Sequence, residues 1–162
     1  MELIDNVRYA KLEDLEIICS MEQVAYKAGD EDKPEHIKYR IENANSYFLV
    51  FVDNTKKQII GYINAIVTKE RDYNKKLLNM NDDSGNTLCI HSFVLDINFR
   101  RNGLGKKILE YYISYIKNSF KNIQLIILIS KEELAKKFYS KFGFTIYNKI
   151  YDDWYELKLE IS

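Results

Sequence analysis

Leu95-Asp-Ile-Asn-Phe-Arg100-Arg101-Asn102-Gly103-Leu104-Gly105-Lys106 joins two unlike segments. Before it, Thr87 to Leu95 is a mostly apolar run that reads as a core strand. After it, Gly103 to Phe120 carries Leu104, Ile108, Tyr112, Tyr115 and Ile116 at helical spacing. A strand ends, a short turn follows, and Gly103 and Gly105 stand where a helix begins. Glycines let ligand phosphates approach the backbone, and the first N–H groups of a helix have no partner within it, so they point outward. Arg100, Arg101 and Lys106 add positive charge. In physical terms this is a pyrophosphate cradle; the plainer reading is a glycine turn between strand and helix. The chain has no GxxxxGK[ST], and no GxGxxG after its first strand, which sets aside two better-known phosphate loops.

Working outward, Ile123 to Ile129 is the most apolar strand, and Lys131 to Phe142 reads as a helix closed by Gly143 as its C-terminal cap. Trp154 to Ile161 alternates, with Tyr155, Leu157, Leu159 and Ile161 on one face and Glu156, Lys158 and Glu160 on the other, as a half-exposed strand does. On the N-terminal side, Tyr47-Phe-Leu-Val-Phe-Val52 and Gln58 to Thr68 form a hairpin across Asp53-Asn-Thr-Lys-Lys57. Asn6 to Ala10 makes a short first strand, a helical stretch opened by Lys11-Leu12-Glu13-Asp14-Leu15 runs on through Tyr26, and a second helix spans Pro34 to Asn43, Pro34 suiting a first helical turn. Lys69 to Asn86 is the one long polar loop, of the kind that often serves as a mobile lid. This order predicts a single α/β domain spanning residues 1–162, a mixed sheet with helices on both faces.

The chain has 162 residues, 46% apolar and 30% charged, enough for one domain to bury a core. Its 24 basic and 24 acidic side chains cancel, so no net field recruits nucleic acid or anionic lipid. Cys19 and Cys89 form no CxxC and there are two histidines, which argues against a structural metal site. The start Met-Glu-Leu-Ile-Asp lacks the regions of a signal peptide, and no apolar run approaches the roughly 20 residues of a membrane span. The expected setting is the cytoplasm, with the nucleus as a second possibility, and the expected state is a monomer or homodimer.

Two motifs carry a resemblance. Arg100-x-x-Gly103-x-Gly105 resembles the R/Q-x-x-G-x-G/A signature of the GNAT acetyltransferase superfamily, and Ala135-Lys-Lys-Phe138-Tyr139-Ser-Lys141-Phe-Gly143-Phe144 resembles that superfamily's A-x-x-F-Y-x-K-x-G-F ending. A strand lies between them, and the element order over the whole chain matches. The resemblance implies acetyl-CoA as cosubstrate. Its pantetheine arm would pair with the edge offered by Phe93, Val94 and Leu95 on the fourth strand, which splays from the fifth. Arg100 and the backbone N–H groups of Arg101, Asn102, Gly103, Leu104, Gly105 and Lys106 would hold the pyrophosphate. Ile97 departs from the pattern, since many relatives have proline there, and Glu132 replaces an asparagine that often touches the cofactor. Glu22-Gln-Val-Ala25-Tyr26, Lys69-Glu70-Arg71 and Leu88-Cys-Ile-His91 further resemble the arylalkylamine (serotonin) N-acetyltransferase branch, with Cys89 replacing the first histidine of its His-x-His strand.

The implied reaction is transfer of acetyl to a primary amine, small or on a protein, within a ternary complex. Alkylamines have pKa values of about 10.4, so a base must take a proton; His91 is the candidate, against a hydrogen-bonded core histidine. Tyr139 matches the family position whose hydroxyl can protonate the departing thiolate, against an ordinary packed tyrosine. Glu22 interrupts an apolar helix face, either as a solvated charge or as a holder of the substrate ammonium. Tyr111, Tyr112 and Tyr115 read as core and rim, and neither cysteine has the histidine-paired context of an acyl carrier. The alternatives are a protein N-terminal or lysine acetyltransferase and, from another class, a non-catalytic acyl-CoA-binding regulatory module, against which the intact Gly103, Gly105 and Tyr139 argue.

Overall fold

The computed structural model describes residues 6–100 and 103–162. Its strands are β1 (Val7–Tyr9), β2 (Leu49–Asp53), β3 (Gln58–Thr68), β4 (Thr87–Leu95), β5 (Leu125–Lys131), β6 (Thr145–Tyr151) and β7 (Trp154–Glu160). Its helices are α1 (Leu15–Ala25), α2 (Pro34–Asn43), α3 (Leu104–Ser119) and α4 (Glu132–Lys137). The strands form a seven-stranded mixed sheet in the order β1-β2-β3-β4-β5-β7-β6, the α/β class that the element order implies.

Two compact units divide the chain. The first runs to Ala65 and takes in Ser92–Ser114. Here β1 and β3 flank β2 in antiparallel registers, Val7↔Phe51 and Leu49↔Ile63 among them, with a bulge between Phe51 and Val52. Apolar side chains of α1 and α2 meet Phe48, just before β2, and the sheet residues Val50, Tyr62 and Val94 in one core. Ile18 and Ile37, one per helix, are wholly buried, and each such side chain stabilises by about 1.5–3 kcal/mol. The Pro34 start and Asn43 end of α2 fall where the sequence places them: Pro34 sits at the first helical position, and the N–H of Ala44 closes the last turn on the Arg40 carbonyl.

The second unit is Ile66–His91 with Tyr115–Ser162. β4 runs parallel to β5 from Thr87↔Leu125 to Cys89↔Ile127, and β5 pairs antiparallel with β7 from Leu125↔Glu160 to Lys131↔Trp154. β6 is the outer partner of β7; six of its seven residues are exposed, and Lys149 on it suits an unprotected edge.

Three expectations need correction here. The helix expected over Lys131 to Phe142 stops at Lys137, and a separate 3-10 turn covers Tyr139–Phe142. The break is at Phe138 (φ −118°, ψ −65°), whose ring packs on Tyr139 and Phe142, both at 5.1 Å. Gly143 still closes the segment in the left-handed conformation, φ +98°. Second, β5 begins at Leu125 and ends at Lys131, because its ladder with β7 sets its length. Third, Glu156 is buried, against the outward face assigned by alternation, and its Oε2 accepts the N–H of Tyr73 at 2.7 Å.

That bond also bears on the Lys69–Asn86 loop. It contains a 3-10 turn, Lys75–Leu78, with Leu77 buried. The N–H of Val67 donates to Asn81 Oδ1 at 2.8 Å, and Lys158 Nζ reaches Asp72 at 2.5 Å. The loop is tied to its own unit by backbone and side-chain bonds at several points along its length.

Candidate active site

From His91 onward β4 alternates. Ser92 and Val94 are buried, whereas His91, Phe93 and Leu95 are half-buried, so one side of the strand stays accessible along the edge proposed for a ligand. The strand ends where the Asp96 N–H bonds the Ile60 carbonyl at 2.7 Å. A 3-10 turn, Ile97–Phe99, follows, capped by Asp96 Oδ1, which accepts the Asn98 N–H at 2.9 Å. Ile97, where relatives often carry proline, opens this turn without difficulty because the Asp96 cap orders it. Arg100 Nε then donates to the Leu95 carbonyl at 3.0 Å, folding the basic side chain back over the strand end.

Gly103 precedes α3 with φ +74°, a conformation that L side chains rarely adopt, and no atom of the described residues beyond its chain neighbours lies within 4 Å of where a Cβ would stand. The glycine is thus required by backbone conformation, and the space beside it is open. Leu104, Gly105 and Lys106 form the first turn of α3, whose leading N–H groups have no helical acceptor. Lys106 is exposed and lies 3.9 Å from Glu110. Arg101 and Asn102, also expected in the cradle, lie outside the described residues. The turn between β4 and α3 therefore has the donors, the positive charge and the clearance that a pyrophosphate group needs.

His91 Nε2 lies 2.6 Å from the Leu77 carbonyl. A carbonyl only accepts, so Nε2 carries the proton and the neutral ring has its lone pair on Nδ1. The histidine is thus oriented by the loop that the sequence leaves unassigned. Tyr139 is 7% exposed, and its ring packs edge-on against Phe138 and Phe144. Burial pushes its hydroxyl pKa above the ordinary tyrosine value. An alkaline loss of activity from ionising Tyr139 is thereby moved beyond the range expected of a free phenol.

The chain matches the profile of the acetyltransferase (GNAT) family over residues 13–144. It belongs to that family. No curated protein matches it. Among solved structures the GNAT chain is similar to the loading GNATL domain of CurA from Lyngbya majuscula, at 14% identity and a TM-score of 0.81, with 96% of each chain covered. It is similar to the GphF GNAT-like decarboxylase in complex with isobutyryl-CoA, at 15% identity and TM-score 0.80, covering 95% of this chain and 98% of that one. A third is Arabidopsis thaliana Naa50 in complex with the bisubstrate analogue CoA-Ac-MVNAL, at 17% identity and TM-score 0.72, covering 96% and 99%. At these identities the likeness is one of fold.

Within the GNAT chain, Glu132 opens α4 and its Oε1 meets Lys136 at 2.5 Å, a surface pair one turn apart. Tyr112 is wholly buried and its hydroxyl donates to the Tyr47 carbonyl at 2.7 Å, a core role as the helical spacing implies. Cys89 is buried, and burial followed by the nearby Glu22 carboxyl raises the Cys19 thiol, so neither cysteine is activated as a nucleophile. A pocket of about 620 Å³ lies in the first unit, with Val94, Leu95 and Arg100 on one side and Ile17, Met21 and Val24 of α1 on the other. Among the described residues no three His, Cys, Asp or Glu side chains are grouped to hold a metal ion, and no helix is long and apolar enough to cross a membrane.

Sequence reading missed a buried polar group. Glu22, weighed equally as a solvated charge and as a holder of the substrate ammonium, is 1% exposed, which rules out the solvated charge, and Arg40, Asn64 and Ser92 are buried with it. The one signal in the sequence is Glu22 itself, a charge on the face of α1 that carries Ile18 and Cys19.

Proposed function

We propose that the protein transfers acetyl from acetyl-CoA to a primary amine. The observation that carries this reading is the open turn at Gly103 between the end of β4 and the start of α3, in a chain of the GNAT family. Acetyl-CoA, when bound, supplies an activated acetyl thioester. Arg100 and the N–H groups at Gly103 to Lys106 hold its pyrophosphate, with Arg101 and Asn102 as further candidates, and the half-buried side of β4 at Phe93 to Leu95 takes the pantetheine arm by strand-like pairing.

Two residues of this chain then handle protons. His91, fixed by its Nε2–H bond to Leu77, presents Nδ1 as the base that takes the acceptor's proton, directly or through water. Tyr139 gives its hydroxyl proton to the departing thiolate. Its raised pKa makes that transfer uphill from a thiolate of pKa about 8.5, so the donation is useful only as charge develops on sulfur.

The finer reading is a small amine of the arylalkylamine kind, supported by Glu22-x-x-Ala25-Tyr26, Lys69-Glu70-Arg71 and His91. The test is free-thiol release from acetyl-CoA over a panel of arylalkylamines, polyamines, lysine peptides and peptides with a free α-amine. Release with small amines is the expected outcome. Release confined to peptides replaces the small acceptor by a protein one, and release with none of them, in protein that binds acetyl-CoA, leaves a binding module.

A further inference from the structure

The connection between α1 and α2 folds Asp32 into the interior of the first unit. Asp32 there meets Arg40, which is wholly buried and also donates to Asn64 Oδ1 at 3.1 Å. His36 Nδ1 stands 3.6 Å from the same carboxylate, and Ser92 Oγ donates to it at 3.4 Å. One cation and one anion thus offset each other.

Glu22 is a second carboxyl beside them, and among the described residues no cation pairs with it. Its Oε2 accepts the Asp32 N–H at 3.3 Å, while its Oε1 makes no hydrogen bond. The hydroxyls of Ser92 and Tyr62 adjoin this carboxyl. Their protons, however, are directed to Asp32 Oδ2 and, at 3.3 Å, to the Ile18 carbonyl. Glu22 is thus met by neutral hydroxyls, which stabilise its charged form only in part, together with the Cys19 thiol and the Tyr26 ring at the edge of the cluster. Such an arrangement lacks a donor that carries positive charge, and an unpaired buried carboxylate is strongly disfavoured.

We infer that Glu22, with the hydroxyl oxygens of Tyr62 and Ser92, forms an ammonium site that selects the acceptor as a protonated primary amine. A primary ammonium has three N–H donors and one charge, matching three acceptors and one uncompensated carboxylate. The inference rests on the amine acceptor proposed above and names how it is recognised. Ser92 directly precedes Phe93–Leu95 on β4, and its side chain lies on the buried face of the strand with Val94. Burial, reinforced by Asp32, raises the Glu22 carboxyl above its usual value, the shift that a bound cation would oppose.

The experiment uses n-butylamine as probe and n-butanol as its uncharged counterpart, at matched ionic strength and without acetyl-CoA. Binding is followed by the shift in thermal unfolding and by chemical-shift titration. The wild-type protein should bind butylamine and not butanol. Glu22→Gln should lose affinity for butylamine by about 10- to 100-fold, the loss of a hydrogen bond to a charged group, while keeping its affinity for acetyl-CoA. Tyr62→Phe, which keeps the ring, should show a smaller loss and covers the case in which Glu22→Gln does not fold. Equal butylamine affinity in wild type and in either folded variant, or equal binding of butanol, overturns the site. If butylamine binds as expected and no amine releases thiol from acetyl-CoA, the ammonium site stands and the transfer reading falls. If thiol is released and Glu22→Gln keeps the wild-type KM for amine, the transfer reading stands and the site falls.

Discussion

His91 and Tyr139 are the residues on which the proposed chemistry turns. The bond from His91 Nε2 to Leu77 fixes one neutral tautomer, which gives Nδ1 a defined role as base. His91→Ala should lower kcat by about 10²- to 10⁴-fold at neutral pH, with the deficit shrinking as the amine deprotonates itself at alkaline pH. A deficit that stays constant across that range would make the histidine a packing residue. Tyr139→Phe should lower kcat and leave acetyl-CoA affinity unchanged, which separates proton donation from packing. Because burial raises the Tyr139 pKa above about 10, wild type and Tyr139→Phe should run parallel up to that pH. A wild-type decline below pH 10 that the variant lacks would contradict the buried setting. Both residues were legible as candidates from their neighbours in sequence. Their hydrogen-bond and solvent environments were not, because Leu77 lies 14 residues from His91 and its carbonyl carries no sequence signal.

At the scale of elements, the β4–turn–α3 unit is the part that local sequence specifies best. Thr87–Leu95 gives the strand with the bounds found, and the glycines after it give the turn and a helix that begins at Leu104, next to the expected Gly103. Gly103→Ala should destabilise by about 1 kcal/mol through the left-handed conformation alone, since the Cβ meets no neighbour. Gly103→Asp should in addition abolish acetyl-CoA binding, because the carboxylate occupies the cradle. Asp tolerates the left-handed region better than Ala, so a folded Gly103→Asp protein that binds acetyl-CoA normally by calorimetry would refute the cradle. The Lys131–Phe142 helix shows the opposite case. Its residues are good helix formers, yet the aromatic packing of Phe138 on Phe142 and of Tyr139 on Phe144 replaces the last α-helical turn with a 3-10 turn.

Two buried carboxyls set opposing contributions to the stability of the whole molecule against pH. For Asp14, burial favours the neutral acid, but the hydrogen bonds from Arg8 at 2.8 and 3.0 Å and from the Lys11 N–H outweigh it and hold the carboxyl below its usual value. That stabilisation is present above the unfolded value of about 3.9 and is lost as pH falls through the lower folded value. Glu22 is raised by burial, so its contribution is fully present below the unfolded value of about 4.3 and is lost as pH rises through the higher folded one. Chemical denaturation as a function of pH should therefore find Arg8→Ala less stable than wild type at pH 7 and nearly equal to it at the acid end. Glu22→Gln should be more stable than wild type at pH 7, by about 1–3 kcal/mol, with the gain vanishing near pH 4. A Glu22→Gln protein less stable than wild type at pH 7 would show that the carboxylate is satisfied in the empty protein.

The candidacy of His91 and Tyr139 came from the resemblance of the motifs around them to known families, and the α/β class, the bounds of α2, β3 and β4 and the glycine turn came from local sequence pattern. Each depends on residues close together in the chain: periodicity, a proline at a helix start, glycines between a strand and a helix. The burial of Glu22 and Glu156, the tautomer of His91, the pairing of Asp32 with Arg40 and the premature end of α4 were decided by the tertiary structure. The burial of Glu156 and the tautomer of His91 depend on contacts between residues far apart in the chain, while the Asp32–Arg40 pair and the end of α4 depend on side-chain packing between near neighbours that periodicity does not show. Burial changes the charge and proton affinity of a group without changing its identity in the sequence.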